Sequence, residues 1–329
     1  MFEPSSVPLR RLVWIALALS LGAAVSLGIT RFAYGLLLPV MREDLDWGYT
    51  LAGAMNTANA GGYLLGALAT PWLMRRFGAA RVLLAGALLA SGFMAASGFF
   101  TAAGPLLLQR LLAGVASAFV FVAGGLLAAR LGAQAPQHAG LLLGLYYGGT
   151  GWGISASALA VPGLLRAAAD VPHGWSWAWW GLALLCLLAT LVLWWPASIL
   201  QKSELLAHTG QAPAAHLIHE PLPWRRMMPA LAGYTLFGVG YIGYMTFVIA
   251  LLREQGVAPA AITLFYALLG LAVVASARIW AGLLNRAKGG GALALLNALL
   301  GVATILPALT RAWPLVLASG VLFGAVFLS

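Results

Sequence analysis

Residues 12–41 read LVWIALALSLGAAVSLGITRFAYGLLLPVM, an apolar run whose single charge is Arg31. A signal-peptide core is about 7–15 residues long, so this run is too long to be one. It exceeds the roughly 20 residues that cross a hydrocarbon core, and it reads as a retained span behind Arg10 and Arg11. The same pattern recurs at about 49–74, 79–100, 105–131, 139–163, 175–195, 229–252, 259–284, 292–310 and 313–329. Composition agrees: 62% of the 329 residues are hydrophobic, 40 are glycine and 8% are charged. Soluble domains carry about 25% charged residues, which they need as a polar shell. Disordered chains are charge-rich and apolar-poor, so disorder is excluded as well. The expected fold class is an all-α polytopic membrane protein with about ten spans.

The net charge of +10 does not imply a nucleic-acid partner, because the basic residues sit at the ends of apolar runs rather than on one face. With the N-terminus inside, eleven Lys and Arg fall in inner segments and four (Arg42, Arg166, Arg253, Arg311) in outer ones. The positive-inside rule then predicts a cytoplasmic N-terminus. Trp14, Trp47, Trp72, Trp175, Trp177, Trp194, Trp195, Trp224 and Trp313 fall near run ends, where indole rings anchor at the headgroups. The lone Cys186 forbids an intrachain disulfide and reads as a packing residue.

The longest polar stretch, Pro196 to Met228, reads as an inner linker. Its His216 and His219 share a helical spacing but lack further ligands, so neither a metal nor a cofactor is expected. Six spans, a linker and more spans predict residues 1–195 as an N-terminal six-helix bundle, 196–228 as a cytoplasmic linker and 229–329 as a C-terminal bundle of about four spans. The last run, Trp313 to Ser329, makes about 25 Å of helix against a core of about 30 Å. The second bundle is therefore expected to be truncated.

Polar groups at membrane depth cost free energy and need a compensating role. No Asp, Glu, Lys or His lies well inside a run; the intramembrane charges are Arg31, Arg110 and Arg278. Arg278 is near the inner end and can snorkel. At α-helical spacing Arg31 neighbours Leu27, Gly28, Tyr34 and Gly35, a face fit to border a cavity. Arg110 continues through Ala113, Gly114, Ser117 and Phe121, which suits helix packing and substrate contact equally. A buried cation without a protein counter-ion points to an anionic ligand, whose carboxylate or similar group meets Arg31. Polar stripes occur at Asn56, Asn59 and Tyr63, at Tyr146 and Tyr147, at Tyr234, Tyr241 and Tyr244, and at Asn297, Gly301 and Thr304. The candidate substrate contacts are Arg31, Tyr34, Asn59, Arg110, Tyr146, Tyr241 and Tyr244. Small-residue repeats (Gly62 with Gly66; Gly140, Gly144 and Gly148; Gly149 with Gly153; Gly320 with Gly324) predict close helix packing.

The segment Gln109-Arg110-Leu111-Leu112-Ala113-Gly114 resembles the Arg-x-x-x-Gly motif of the major facilitator superfamily. The turn Arg75-Arg76-Phe77-Gly78-Ala79-Ala80-Arg81 resembles that family's inner gating loop, with Arg75 where an acid is usual and Ala79-Ala80 where a basic pair is usual. Leu283-Leu284-Asn285-Arg286 is a fainter echo, and Gly148 to Gly153 partly resembles the antiporter motif without its Gly-Pro step. Gly28-Ile29-Thr30-Arg31-Phe32-Ala33-Tyr34, Leu38-Pro39 and Leu145-Tyr146-Tyr147-Gly148-Gly149 are similar to the bacterial YbfB/YjiJ-like branch. The resemblance implies tandem six-helix bundles, a multi-pass place in the bacterial inner membrane, alternating access, and gating by Arg75, Arg76, Gly78 and Arg81.

The leading expectation is a secondary transporter of a small organic solute, anionic if Arg31 meets it. Its partners are that solute, the lipid bilayer and, in a coupled version, a proton. Glu43, Asp44 and Asp46 read as a solvated outer cap. A broad-specificity drug exporter is the alternative of the same class; a membrane-embedded enzyme or a scaffold is the alternative of another. An enzyme is not expected, since no H-E-x-x-H, intramembrane carboxylate or phosphate-binding loop is present.

Overall fold

A computed structural model describes residues 8–208, 224–286 and 290–328. His216, His219 and Lys288 lie outside the described residues. The described chain is nearly all helical: α1 (Leu9–Ala23), a π-helical segment (Ala24–Arg31), α2 (Tyr34–Asp44), α3 (Tyr49–Phe77), α4 (Ala79–Ser97), α5 (Ala103–Ala133), α6 (Ala139–Ala167), α7 (Trp175–His208), α8 (Trp224–Glu254), α9 (Pro259–Arg286), α10 (Gly291–Leu309) and α11 (Trp313–Phe327). Taken together, α1, the π segment and α2 form the first span, and each later helix matches one expected run.

Seven of the described helical segments are long and apolar enough to cross a membrane. The 29-residue α3 and α6 are not among them, because α3 carries Asn56, Asn59 and Arg75 and α6 is rich in glycine. One face of each is turned into the bundle, where neighbours cover Asn56 and Asn59 of α3 and Thr150, Ser155 and Ser157 of α6. Outward surfaces are apolar, with Leu68 and Leu236 more than 70% exposed. That is the reverse of a water-soluble domain and suits contact with lipid tails.

Turns alternate between two ends of the bundle. One, the Arg75 end, holds the start of α1, the α3–α4 turn and the start of α8. The other, the Asp44 end, holds the α2–α3 turn and the α8–α9 turn. Gly78 closes the α3–α4 turn at φ 84°, a backbone region that favours glycine.

Glycine sets helix spacing. A Cβ on Gly62 of α3 would run into the Leu111 carbonyl of α5, and one on Gly114 of α5 into the Asn59 carbonyl of α3. The α6–α9 seam is equally close where Gly151 meets the Gly270 carbonyl. Of the expected small-residue positions, Gly140 alone faces open space in the described structure.

Three expectations need correction. The first span is not a continuous α-helix: the π segment ends at Arg31 and a turn at Phe32 and Ala33 precedes α2, and Arg31 reaches Tyr63 and Tyr241 whereas Tyr34 reaches Arg110 and Trp179. The sixth helix does not stop with its apolar run near 195: α7 continues through Pro196 to His208, and α8 starts at Trp224. Not every tryptophan near a run end is an anchor. Trp14, Trp72, Trp177, Trp194, Trp195 and Trp224 are exposed, whereas Trp47 and Trp175 are buried in the bundle.

Candidate functional site

Arg31 ends the π segment, where the chain turns at Phe32 and Ala33 before α2 begins. Thr30 turns its hydroxyl back to the Val25 carbonyl at 2.6 Å, a bond that spans the wider π turn. The consequence is that Arg31 points between α3 and α8 and is only 4% exposed. Its guanidinium carbon lies 5.5 Å from the ring centre of Tyr63 and 5.5 Å from that of Tyr241. Among the described residues it makes no hydrogen bond or ion pair, and its Nε is buried without a partner. Cation–π contact offsets part of the burial cost, about 0.5–2 kcal/mol per ring, and leaves the donors empty.

Arg110 is 1% exposed and differently held. One terminal nitrogen donates to the Thr30 carbonyl at 2.8 Å, and the guanidinium lies 5.2 Å from the Tyr34 ring and 5.5 Å from the Trp179 ring. The other terminal nitrogen and Nε have no partner among the described residues. Around it, Asn59 Nδ2 donates to the Arg110 carbonyl at 3.0 Å. Ser26 and Ser117 exchange hydroxyl-to-carbonyl bonds of 2.7 and 2.6 Å. Arg110, Asn59 and the two serines thus tie the first span to α3 and α5.

The structure brings together fewer of the expected contacts than the stripes suggested. Tyr241 is at Arg31. Tyr34 is at Arg110 instead, its hydroxyl donating to the Ala52 carbonyl at 2.7 Å and its ring stacked on Trp179. Tyr146 is buried with its hydroxyl on the Phe121 carbonyl at 2.9 Å. Tyr244 stacks on Phe323 at 4.3 Å, with its hydroxyl 3.3 Å from that of Ser319. Tyr63, the second wall of the Arg31 cage, was visible in the Asn56–Asn59–Tyr63 stripe. Nothing in sequence spacing pairs it with Tyr241.

A cavity of about 430 Å³ lies beside this cage toward the Arg75 end. Phe121 and Tyr147 line it from α5 and α6, and Tyr234, Phe237, Asn297 and Phe327 line it from the later helices. Tyr241 packs on Phe237 at 5.1 Å and on Phe327 at 5.0 Å, and Tyr63 packs on Phe121 at 6.4 Å. One layer of rings therefore separates Arg31 from the cavity.

At the Asp44 end the same two groups of helices are fastened together. Asn56 donates to Thr246, Tyr49 donates to Glu254, and Tyr266 donates to the Phe32 carbonyl at 2.8 Å. Arg253 and Glu43 are 3.9 Å apart, and Arg42 sits over the Tyr49 ring at 4.2 Å. Asp44 is more than a solvated cap: one carboxylate oxygen is 2.6 Å from His173 Nδ1 and accepts from Trp175 Nε1 at 2.5 Å. Among the described residues no group of three or more His, Cys, Asp or Glu is placed to hold a metal.

A family profile described as "Uncharacterised MFS-type transporter YbfB" matches residues 23–329. No curated protein matches the chain. Among solved structures it is similar to a D-xylose-proton symporter, with a TM-score of 0.65, 15% identity, and coverage of 97% of this chain and 80% of that one. It is also similar to a bacterial homologue of the human lysosomal transporter Spinster, inward-facing and unoccupied, at 0.66 and 15%, covering 98% and 74%. A partially occluded inward-open form of the xylose transporter XylE from E. coli gives 0.62 and 14%, covering 96% and 82%. At such identities the likeness establishes the fold, tandem helical bundles of the major-facilitator type, and the profile establishes the branch. The chain belongs to the YbfB family of MFS-type transporters.

Proposed function

We propose that the chain is a secondary carrier that moves a small organic anion across a bacterial inner membrane by alternating access, its N-terminus cytoplasmic. The observation that carries this is Arg31, a buried cation with two ring faces beside it and no acceptor among the described residues. A guanidinium at mid-bilayer costs about 3 kcal/mol on insertion scales; two rings at about 0.5–2 kcal/mol each offset much of that but supply no hydrogen-bond acceptor. A carboxylate or comparable oxygen pair supplies the missing acceptors in the planar geometry a guanidinium prefers. Tyr241 and Tyr63 are the walls of that contact. Arg110, with two unpartnered nitrogens, is the second cation near the anion's path.

In this reading the moving units are residues 1–195 and 229–329, and the close α6–α9 seam is the surface on which they rock. Closure at the Asp44 end with a cavity toward the Arg75 end corresponds to an inward-facing state. The turn carrying Arg75, Arg76, Gly78 and Arg81 gates the open end. Coupling to a proton, where it operates, draws on the substrate's own charge, since the spans carry no carboxylate at depth.

One observation favours export of broad-specificity drugs: the cavity is lined by aromatic rings, which suit flat organic solutes. Cationic drugs would then face two buried arginines, so the anion is preferred.

The test is binding by the full chain, read as thermal stabilisation, to a panel of carboxylates, their neutral amides and matched amines. Flux of any binder in proteoliposomes follows. A carboxylate that binds wild type is expected to weaken at least about tenfold with Arg31→Ala, the loss of one charge-assisted contact. It should also weaken measurably with Arg31→Lys. Unchanged affinity in both variants removes Arg31 from the site, and preferential binding of amines favours the drug reading.

A further inference from the structure

The cavity beside the Arg31 cage is bounded by a column of near-parallel rings. Tyr234, Phe237, Tyr241 and Tyr244 recur every three or four residues along α8, and Phe323 and Phe327 are four apart on α11, so each helix presents an aromatic stripe. Where the stripes meet, Phe237 stacks on Phe327 with centres 6.0 Å and planes 11° apart. Phe327 stacks on Phe323 at 5.3 Å and 15°, and Phe323 on Tyr244 at 4.3 Å and 20°. Of this column, Phe237 and Phe327 line the cavity. Tyr241 joins the column to the cage: its ring is 5.0 Å from that of Phe327 and 5.5 Å from the Arg31 guanidinium carbon.

A carboxylate reaches Arg31 from the cavity only when the Tyr241 ring moves aside. That movement breaks the Tyr241 contacts with Phe237 and Phe327. A flat ring entering in its place restores aromatic contact, whereas a chain of methylenes restores apolar burial alone. No charged side chain lines the cavity among the described residues. Asn297 of α10 does line it, and it makes no hydrogen bond to a described residue. Its amide offers both donors and an acceptor. A solute that covers this amide without bonding to it strands polar atoms, and one bearing a hydroxyl or carbonyl does not.

We infer that the carrier's solute is an aromatic carboxylate, its carboxylate on Arg31, its ring against Phe237 and Phe327, and a polar substituent on the far side of the ring at Asn297. This rests on the anion reading above and narrows it to a class. Phe237, Phe327 and Asn297 become specificity-determining residues, and none of them is among the substrate contacts expected from the sequence.

The experiment measures binding of benzoate, cyclohexanecarboxylate, 4-hydroxybenzoate and benzamide to the purified full chain in detergent by isothermal calorimetry. Wild type is expected to bind benzoate roughly tenfold tighter than cyclohexanecarboxylate, from two ring contacts. The hydroxyl of 4-hydroxybenzoate should add a factor of about three or more. Phe237→Leu keeps the wall apolar and is expected to erase the preference for benzoate while cyclohexanecarboxylate still binds. Asn297→Leu should erase the hydroxyl's increment alone. Equal binding of benzoate and cyclohexanecarboxylate by wild type, both weakened by Arg31→Ala, overturns the aromatic class and leaves the anion reading standing. Benzamide binding as tightly as benzoate, with neither sensitive to Arg31→Ala, overturns the anion reading and this inference with it. Binding of none of the four overturns the aromatic carboxylate. A preference for benzoate that survives Phe237→Leu overturns the ring column as its cause, and a hydroxyl increment that is absent from wild type or survives Asn297→Leu overturns Asn297 as its contact.

Discussion

Replacing Arg31 and Arg110 in turn by methionine, without ligand, should move stability in opposite directions. Each guanidinium is buried at a cost of about 3 kcal/mol, and each has two aromatic rings within 5.5 Å, together returning roughly 2 kcal/mol. Arg31 makes no hydrogen bond or ion pair among the described residues, so Arg31→Met should gain about 1 kcal/mol. Arg110 also donates to the buried Thr30 carbonyl at 2.8 Å. A hydrogen bond to a charged group contributes about 1.5–3 kcal/mol, and losing it strands the carbonyl as well. Arg110→Met should therefore lose about 0.5–2 kcal/mol. The gap between the variants is that one bond, and at about 2 °C per kcal/mol it is roughly 3–6 °C in apparent Tm. Intrinsic tryptophan fluorescence on heating in detergent reads it directly, with Trp179 beside Arg110. If Arg31→Met falls as far as Arg110→Met, Arg31 has protein partners and its role as a waiting anion contact is wrong. A gain in Tm together with lost ligand binding is the signature of a functional residue kept at the expense of stability.

Gly62→Val places a branched side chain against the Leu111 carbonyl, so α3 and α5 must separate; apparent Tm should drop by several degrees, whereas Gly140→Ala, facing open space, should leave it unchanged. Asp44→Asn weakens the contacts to His173 and Trp175 and should cost on the order of 1 kcal/mol. It should leave any pH-driven flux in place, and flux abolished by this change would make Asp44 a coupling residue. Cys186 is fully buried, so a membrane-permeant maleimide should label it only as the chain unfolds; rapid labelling of the folded protein would show that α7 is packed otherwise.

Sequence alone determined the membrane class, the ten helical runs and the family, because these depend on properties that add along a chain. Thirty residues with one charge must cross a bilayer whatever surrounds them, and Arg110 with Gly114 four positions on reads as a motif without coordinates. The small-residue repeats also identified some of the close contacts, since a missing Cβ matters wherever a helix touches another. What surrounds a buried charge is another matter. Arg31 and Tyr34 meet one ligand only if the first span is a regular α-helix, and the break at Phe32 and Ala33 sends them to different partners. Tyr63 on α3 and Tyr241 on α8 become neighbours only when two halves of the chain pack, and no periodicity within either helix encodes the pairing. Tertiary structure likewise decided that Arg110 holds the bundle by the Thr30 carbonyl while Arg31 hydrogen-bonds to none of the described residues. The two residues have the same chemistry and similar depth. Their difference lies in which carbonyl comes within 3 Å, a property of the packed helices rather than of either residue.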